Sequence, residues 1–147
     1  MPANNLPMYV RRSSNSSTGG NTKTFSATIT AAANDFTGAG ANNVLVATSD
    51  ATNGSFLVGF MVKATGTNVA TVARMFLNNG STNATAANNA FISEMSLPAT
   101  TASATTNTSS ETFWPYGRLL EAGTRIYIGL ATAVAAGWQF VPVYGDF

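Results

Sequence analysis

The sequence predicts an all-β protein, a single β-sandwich of jelly-roll type with about eight strands and an extended N-terminal arm. Three observations lead there. Apolar and polar residues alternate with period two through much of the chain, as on half-buried strands. Turn residues recur roughly every ten positions, the spacing of short strands in a sandwich or barrel. The helix-compatible stretches, the alanine runs near Ala31 and Ala84, lack an apolar stripe and are crowded by Asn and Thr.

Residues 1–22 read as the arm with its tether, and residues 23–147 as the sandwich. Leu6, Met8, Tyr9 and Val10 form an apolar tip, followed by Arg11 and Arg12. The Ser/Gly-rich run from Ser13 to Gly20 buries no core and has the composition of a flexible linker. Phe25, Ala27 and Ile29 then alternate with Thr24, Ser26 and Thr28, the pattern of a half-buried strand. A turn-rich stretch from Asn34 to Asn43 precedes a short apolar strand at Val44, Leu45 and Val46. Phe56 to Lys63 is apolar on both faces, which predicts a central strand covered on each side. Val69 to Leu77 is the next strand, with Arg74 its one charge, and Asn78-Asn79-Gly80 is a turn because Asn and Gly tolerate positive φ.

Phe91 to Leu97 forms a strand closed by Pro98, and Ala99 to Ser110 is polar enough to read as a long surface loop. Glu111 to Trp114 begins a strand that Pro115 and Gly117 interrupt. Arg125 to Leu130 alternates Ile126, Ile128 and Leu130 against Tyr127 and Gly129. Trp138, Phe140, Pro142 and Tyr144 share one face of the last strand, and Pro142, lacking an N–H, places that strand at an edge or at a bulge.

Composition narrows the chemistry. The chain has 147 residues, of which 9% are charged, with formal net charge +1. An average domain is about 25% charged, so Ser, Thr and Asn, about a third of this chain, wet its surface instead. With no cysteine and no histidine there is no disulfide framework, thiolate nucleophile, imidazole base or imidazole metal ligand. A net charge near zero argues against duplex DNA and against anionic membranes as partners. Met1 to Val10 has two prolines and no sustained apolar core, so it does not read as a signal peptide. The apolar run from Phe56 to Val62 is far short of the ~20 residues of a membrane helix. Asn-x-Ser/Thr triplets at Asn15, Asn53, Asn79, Asn83 and Asn107 reflect the Asn/Thr/Ser-rich composition rather than glycosylation.

Few side chains remain for chemistry. The acids are Asp35, Asp50, Glu94, Glu111, Glu121 and Asp146. Glu94 and Glu111 could converge as a glycosidase pair, but on so sparsely charged a surface they read as solvated strand charges. No DxDxDG-like calcium loop exists, although Asp35 and Asp50 flank Asn-rich loops and leave a weak surface cation site as an alternative. No glycine pattern forms a phosphate-binding loop. Trp114, Tyr116 and Trp138 could stack on a sugar ring, although in a sandwich such residues more often fill the core or an interface. Arg11 and Arg12 could neutralise at most about two phosphates, so an ion pair with a protein partner suits them better. The expectation is therefore no catalytic residue, no cofactor and no metal.

One segment carries a resemblance. Leu120 to Trp138, LEAGTRIYIGLATAVAAGW, together with the closing Gly145-Asp146-Phe147, is similar to segments of small virion proteins of tailed bacteriophages, of the capsid decoration (cement) type. The resemblance implies a β-sandwich or jelly-roll subunit, often trimeric, seated on the outer shell, with no catalytic residues. Its expected partner is the major capsid protein and its expected location the capsid exterior, after synthesis in the host cytoplasm.

Physics adds two expectations. The arm, through Leu6, Met8, Tyr9, Val10, Arg11 and Arg12, would contact the capsid. Trp138, Phe140 and Tyr144 would form the interface of a homotrimer, because sheet edges in so uncharged a domain need protection. The alternatives are a phage fibre or tail subunit and a carbohydrate-binding sandwich, the latter requiring Trp114 or Trp138 to face solvent.

Overall fold

The computed structural model describes residues 11–12, 28–108 and 112–146. Eight strands follow one another: β1 (Arg11–Arg12), β2 (Val44–Thr48), β3 (Ser55–Ala64), β4 (Thr71–Asn78), β5 (Asn89–Leu97), β6 (Thr112–Leu120), β7 (Arg125–Leu130) and β8 (Trp138–Asp146). They form two four-stranded antiparallel sheets, ordered β1-β8-β3-β6 (sheet A) and β2-β7-β4-β5 (sheet B). Only β4 and β5 are consecutive neighbours; every other connection crosses between the sheets. This interleaving is the double Greek key of a jelly roll, in line with the expected all-β sandwich. The helical content of the described residues is one 3-10 turn, Ala86–Asn88.

The inner faces make one core. Sheet A contributes Leu57, Phe60, Val62, Trp114, Leu120, Trp138 and Phe140, and sheet B contributes Val46, Ala73, Met75, Leu97, Ile126, Ile128 and Leu130. Trp114 on β6 donates Nε1–H to Ser93 Oγ on β5 at 3.1 Å, a polar link between the sheets. Asn68 ties the far end: Oδ1 accepts from the N–H groups of Ala136 (2.9 Å) and Gly137 (2.8 Å), while Nδ2 donates to the Gly137 carbonyl at 3.0 Å.

Several expectations need correction. Pro115 and Gly117 do not end a strand: β6 runs through them, with a register shift against β3 between Leu57 and Gly59. As an edge strand, β6 tolerates a missing N–H, and Gly117 supplies a φ of 65°. β3 is central but covered on its core face alone, since Val58 and Met61 on its other face are exposed. Ile29 makes only an isolated bridge, to Trp138; Phe25 and Ala27 lie outside the described residues. β8 meets Pro142's requirement beside an edge, because β1 flanks it only at Gly145 and Asp146.

The arm also divides differently. Leu6, Met8, Tyr9 and Val10 lie outside the described residues. Arg11 and Arg12 pair with Asp146 and Gly145 and extend sheet A, so a boundary at residue 22 does not separate these two from the sandwich. The open side of β8 offers the unpaired N–H and C=O groups that recruit them.

Candidate functional site

Trp138 and Phe140 cannot be a subunit interface. They are 2% and 0% exposed, inside the sandwich, because the apolar face of β8 is its core face. Tyr144, on the same face, is half-buried against that core. Trp114 is buried as well, so neither tryptophan offers a platform for a sugar.

The opposite face of sheet A is the open one. An antiparallel sheet with one solvated face ordinarily carries polar residues there. Here the outward positions of three adjacent strands are apolar: Phe56, Val58 and Met61 on β3, Phe113 and Leu119 on β6, Val141 and Val143 on β8. Register makes them neighbours, with Met61 opposite both Phe113 and Val141, Phe56 opposite Leu119, and Gly59 opposite Val143. Leu119 is 70% exposed, and Val58, Met61, Phe113 and Val143 are each more than a third exposed. Lys63 and Arg118 are the exposed charges of β3 and β6. The sequence obscured this surface, because the break expected at Pro115 hid the outward positions of β6.

Sheet B differs. The loop from Ala31 to Asn43 crosses its outer face, with Ala33 N–H donating to the Leu130 carbonyl at 2.8 Å. Gly38 sits against the Phe76 ring, which is fully buried beneath it. Asp35 holds the loop: its carboxylate accepts from the N–H groups of Thr37 (2.9 Å), Gly38 (2.6 Å) and Gly40 (3.2 Å) and from Asn43 Nδ2 (2.9 Å). Burial pushes the Asp35 pKa up, but hydrogen bonds from the Asn43 side chain, the Thr37 and Gly38 backbone and the Thr37 hydroxyl outweigh it and set it below the ordinary value. Asp50 likewise accepts from the N–H groups of Thr52 and Asn53, which lower its pKa. Asp35 thus uses both carboxylate oxygens, and Asp50 its Oδ1, to hold their own loops.

Glu94, a candidate acid, accepts from Arg74 Nε at 3.1 Å, and Glu111 lies outside the described residues. Arg74 also donates to the Asp35 carbonyl at 3.3 Å and stacks its guanidinium 3.8 Å from the Phe36 ring centroid. Phe36 meets Phe91 edge to face at 5.7 Å. Sequence reasoning assigned no role to either ring; an aromatic inside a turn-rich loop was the available signal at Phe36.

A groove of about 450 Å³ lies near Leu77, Leu119 and Glu121, lined by Asn78, Asn79, Asn88 and Asn89. Its amides satisfy one another: Asn78 Nδ2 donates to Asn89 Oδ1 at 2.8 Å, and Asn79 Nδ2 to Asn88 Oδ1 at 3.3 Å. They knit the β4–β5 hairpin together. Comparison of this chain with protein families, curated proteins and solved structures finds no match.

Proposed function

We propose that this protein is a structural virion component that docks on the exterior of an assembled phage capsid and stabilises it. The observation that carries the reading is the exposed apolar outer face of sheet A. Contiguous exposed apolar surface of this kind marks a protein contact. Burying a large apolar side chain contributes about 1.5–3 kcal/mol relative to full exposure; these residues start partly covered, so each contributes less. The resemblance read in the sequence from Leu120 to Trp138 points to the same role, and jelly rolls recur in viral capsid domains, an analogy of fold alone.

The partner in this reading is the major capsid protein. The role requires no catalytic group, cofactor, nucleic acid or membrane. A homotrimer stays part of the proposal, with its contacts moved away from Trp138 and Phe140. Leu6, Met8, Tyr9 and Val10 would add apolar contact from the arm. Labelling intact virions with an antibody against this chain tests the location. Label over the capsid shell is expected; label confined to the tail or fibres, or absent from virions, would overturn the proposal.

A further inference from the structure

The outer surface of sheet B presents two aromatic rings that the core does not need. Phe36 is 58% exposed and Phe91 42% exposed, yet both are fixed in place. Arg74 lies against Phe36 at 3.8 Å, Phe91 meets it edge to face, and Phe76 backs Phe91 at 5.6 Å. The backbone on either side of Phe36 is held by the Asp35 hydrogen bonds to Thr37, Gly38 and Gly40. A site whose parts are already ordered loses little entropy when it binds.

Directional polar groups border the rings. Glu94 accepts from Arg74 through Oε1, and no other hydrogen bond to its carboxylate occurs among the described residues. Arg74 uses Nε and one terminal nitrogen, leaving guanidinium N–H groups over. Two rings are small beside the roughly 800 Å² per partner of a stable protein interface. Two exposed rings with a few oriented polar groups beside them match the size of a single sugar ring instead.

We propose that Phe36, Phe91, Arg74 and Glu94 form a binding site for a neutral pyranose glycan. The C–H groups of a sugar ring carry partial positive charge and pack on the negative face of an aromatic ring; on Phe36 this is the face turned away from Arg74, whose guanidinium covers the other. Sugar hydroxyls donate to Glu94 and accept from Arg74, forming charge-assisted bonds. Asp35 and Glu94 flank the site against the single guanidinium of Arg74, so sialylated and uronic glycans are disfavoured. The site is independent of sheet A, on the opposite side of the sandwich. A subunit seated on a shell through sheet A would turn this surface to the medium.

The test is NMR titration of the full chain with a panel of neutral hexoses, deoxyhexoses, N-acetylhexosamines and their oligosaccharides, with sialylated glycans as controls. Saturable shifts of the Phe36 and Phe91 ring signals are expected with at least one neutral sugar and with no sialylated one. Phe36→Ala weakens binding about tenfold or more, Phe36→Trp retains it, and Glu94→Gln weakens it about fivefold. The unchanged backbone spectrum of each variant verifies the fold. Absence of saturable shifts across the panel, preference for the acidic glycans, or binding that survives Phe36→Ala would overturn the assignment. So would loss of shell binding by Phe36→Ala without sugar binding, which would make the rings a protein contact. The capsid reading is scored separately, by virion labelling.

Discussion

Phe113 lays the tip of its ring over Gly59 of the neighbouring strand: a Cβ built on Gly59 would come 2.7 Å from Phe113 Cζ. The glycine lets β6 close onto β3 where the register shifts, with Phe113 on the outer face of sheet A. The Trp114 carbonyl crowds the same space. Gly59→Ala is therefore expected to destabilise the protein by about 1–3 kcal/mol, the usual cost of overpacking. Thermal or urea denaturation reads the change; a neutral substitution would show that the contact is loose.

Asn68 should be among the least replaceable polar residues. It is buried and bonds both N–H groups at the 136–137 turn. Asn68→Ala leaves those two donors unpaired, at about 1–3 kcal/mol for each that water does not reach, while the Gly137 carbonyl keeps its bonds from the Thr65 N–H and hydroxyl. A loss of several kcal/mol in urea unfolding is expected, and Asn68→Asp restores only the two accepting bonds.

Arg74 and Glu94 should respond unequally, although they form one ion pair. The Arg74 side chain is 11% exposed and that of Glu94 44%. Removing the arginine uncovers Phe36 and frees the Asp35 carbonyl, so Arg74→Ala is expected to cost about 2–3 kcal/mol. Glu94→Gln alters a half-exposed partner and should cost less than about 1 kcal/mol. Denaturation of both single variants and the double variant measures the asymmetry.

Asp35 predicts a pH dependence of stability. Its folded pKa lies below the ordinary 3.8, so the unfolded chain takes up the proton first. The stability from its carboxylate is fully present above the unfolded value and is lost as pH falls through the folded one. Asp35→Asn should destabilise at neutral pH, because an amide NH₂ meets the donors of Gly40 or Asn43. The gap between wild type and variant should narrow as pH falls below 3.8 and through the lower folded value. Parallel urea melts across that range check it.

The strands announced themselves where one face was polar. β7 was legible residue by residue because Ile126, Ile128 and Leu130 alternate with positions of other character. β6 was not, since Pro115 and Gly117 are breakers by composition and become harmless only at an edge, a property of the topology. Apolar residues on both faces of β3 do not reveal whether the second face is covered by the same chain or left open. Trp138 and Phe140 are misleading for the same reason: period two says that they share a face, but the two faces of a strand look alike until the partner sheet is placed. Phe36 and Asp35 act through a loop folded over sheet B, and a contact between positions 39 apart, Asp35 and Arg74, leaves no local signal in the sequence.

The central claim is that the outer face of sheet A seats the protein on a capsid. The most direct measurement is co-sedimentation of purified protein with phage shells stripped of it, comparing wild type with Leu119→Ser combined with Phe113→Ser. Both side chains are already exposed, so circular dichroism and melting should show a folded variant. Each serine removes apolar contact, and together they should weaken binding about a hundredfold, with little effect of added salt on wild-type affinity. Full shell occupancy by the double variant, or wild-type binding that collapses as salt rises, would contradict the account.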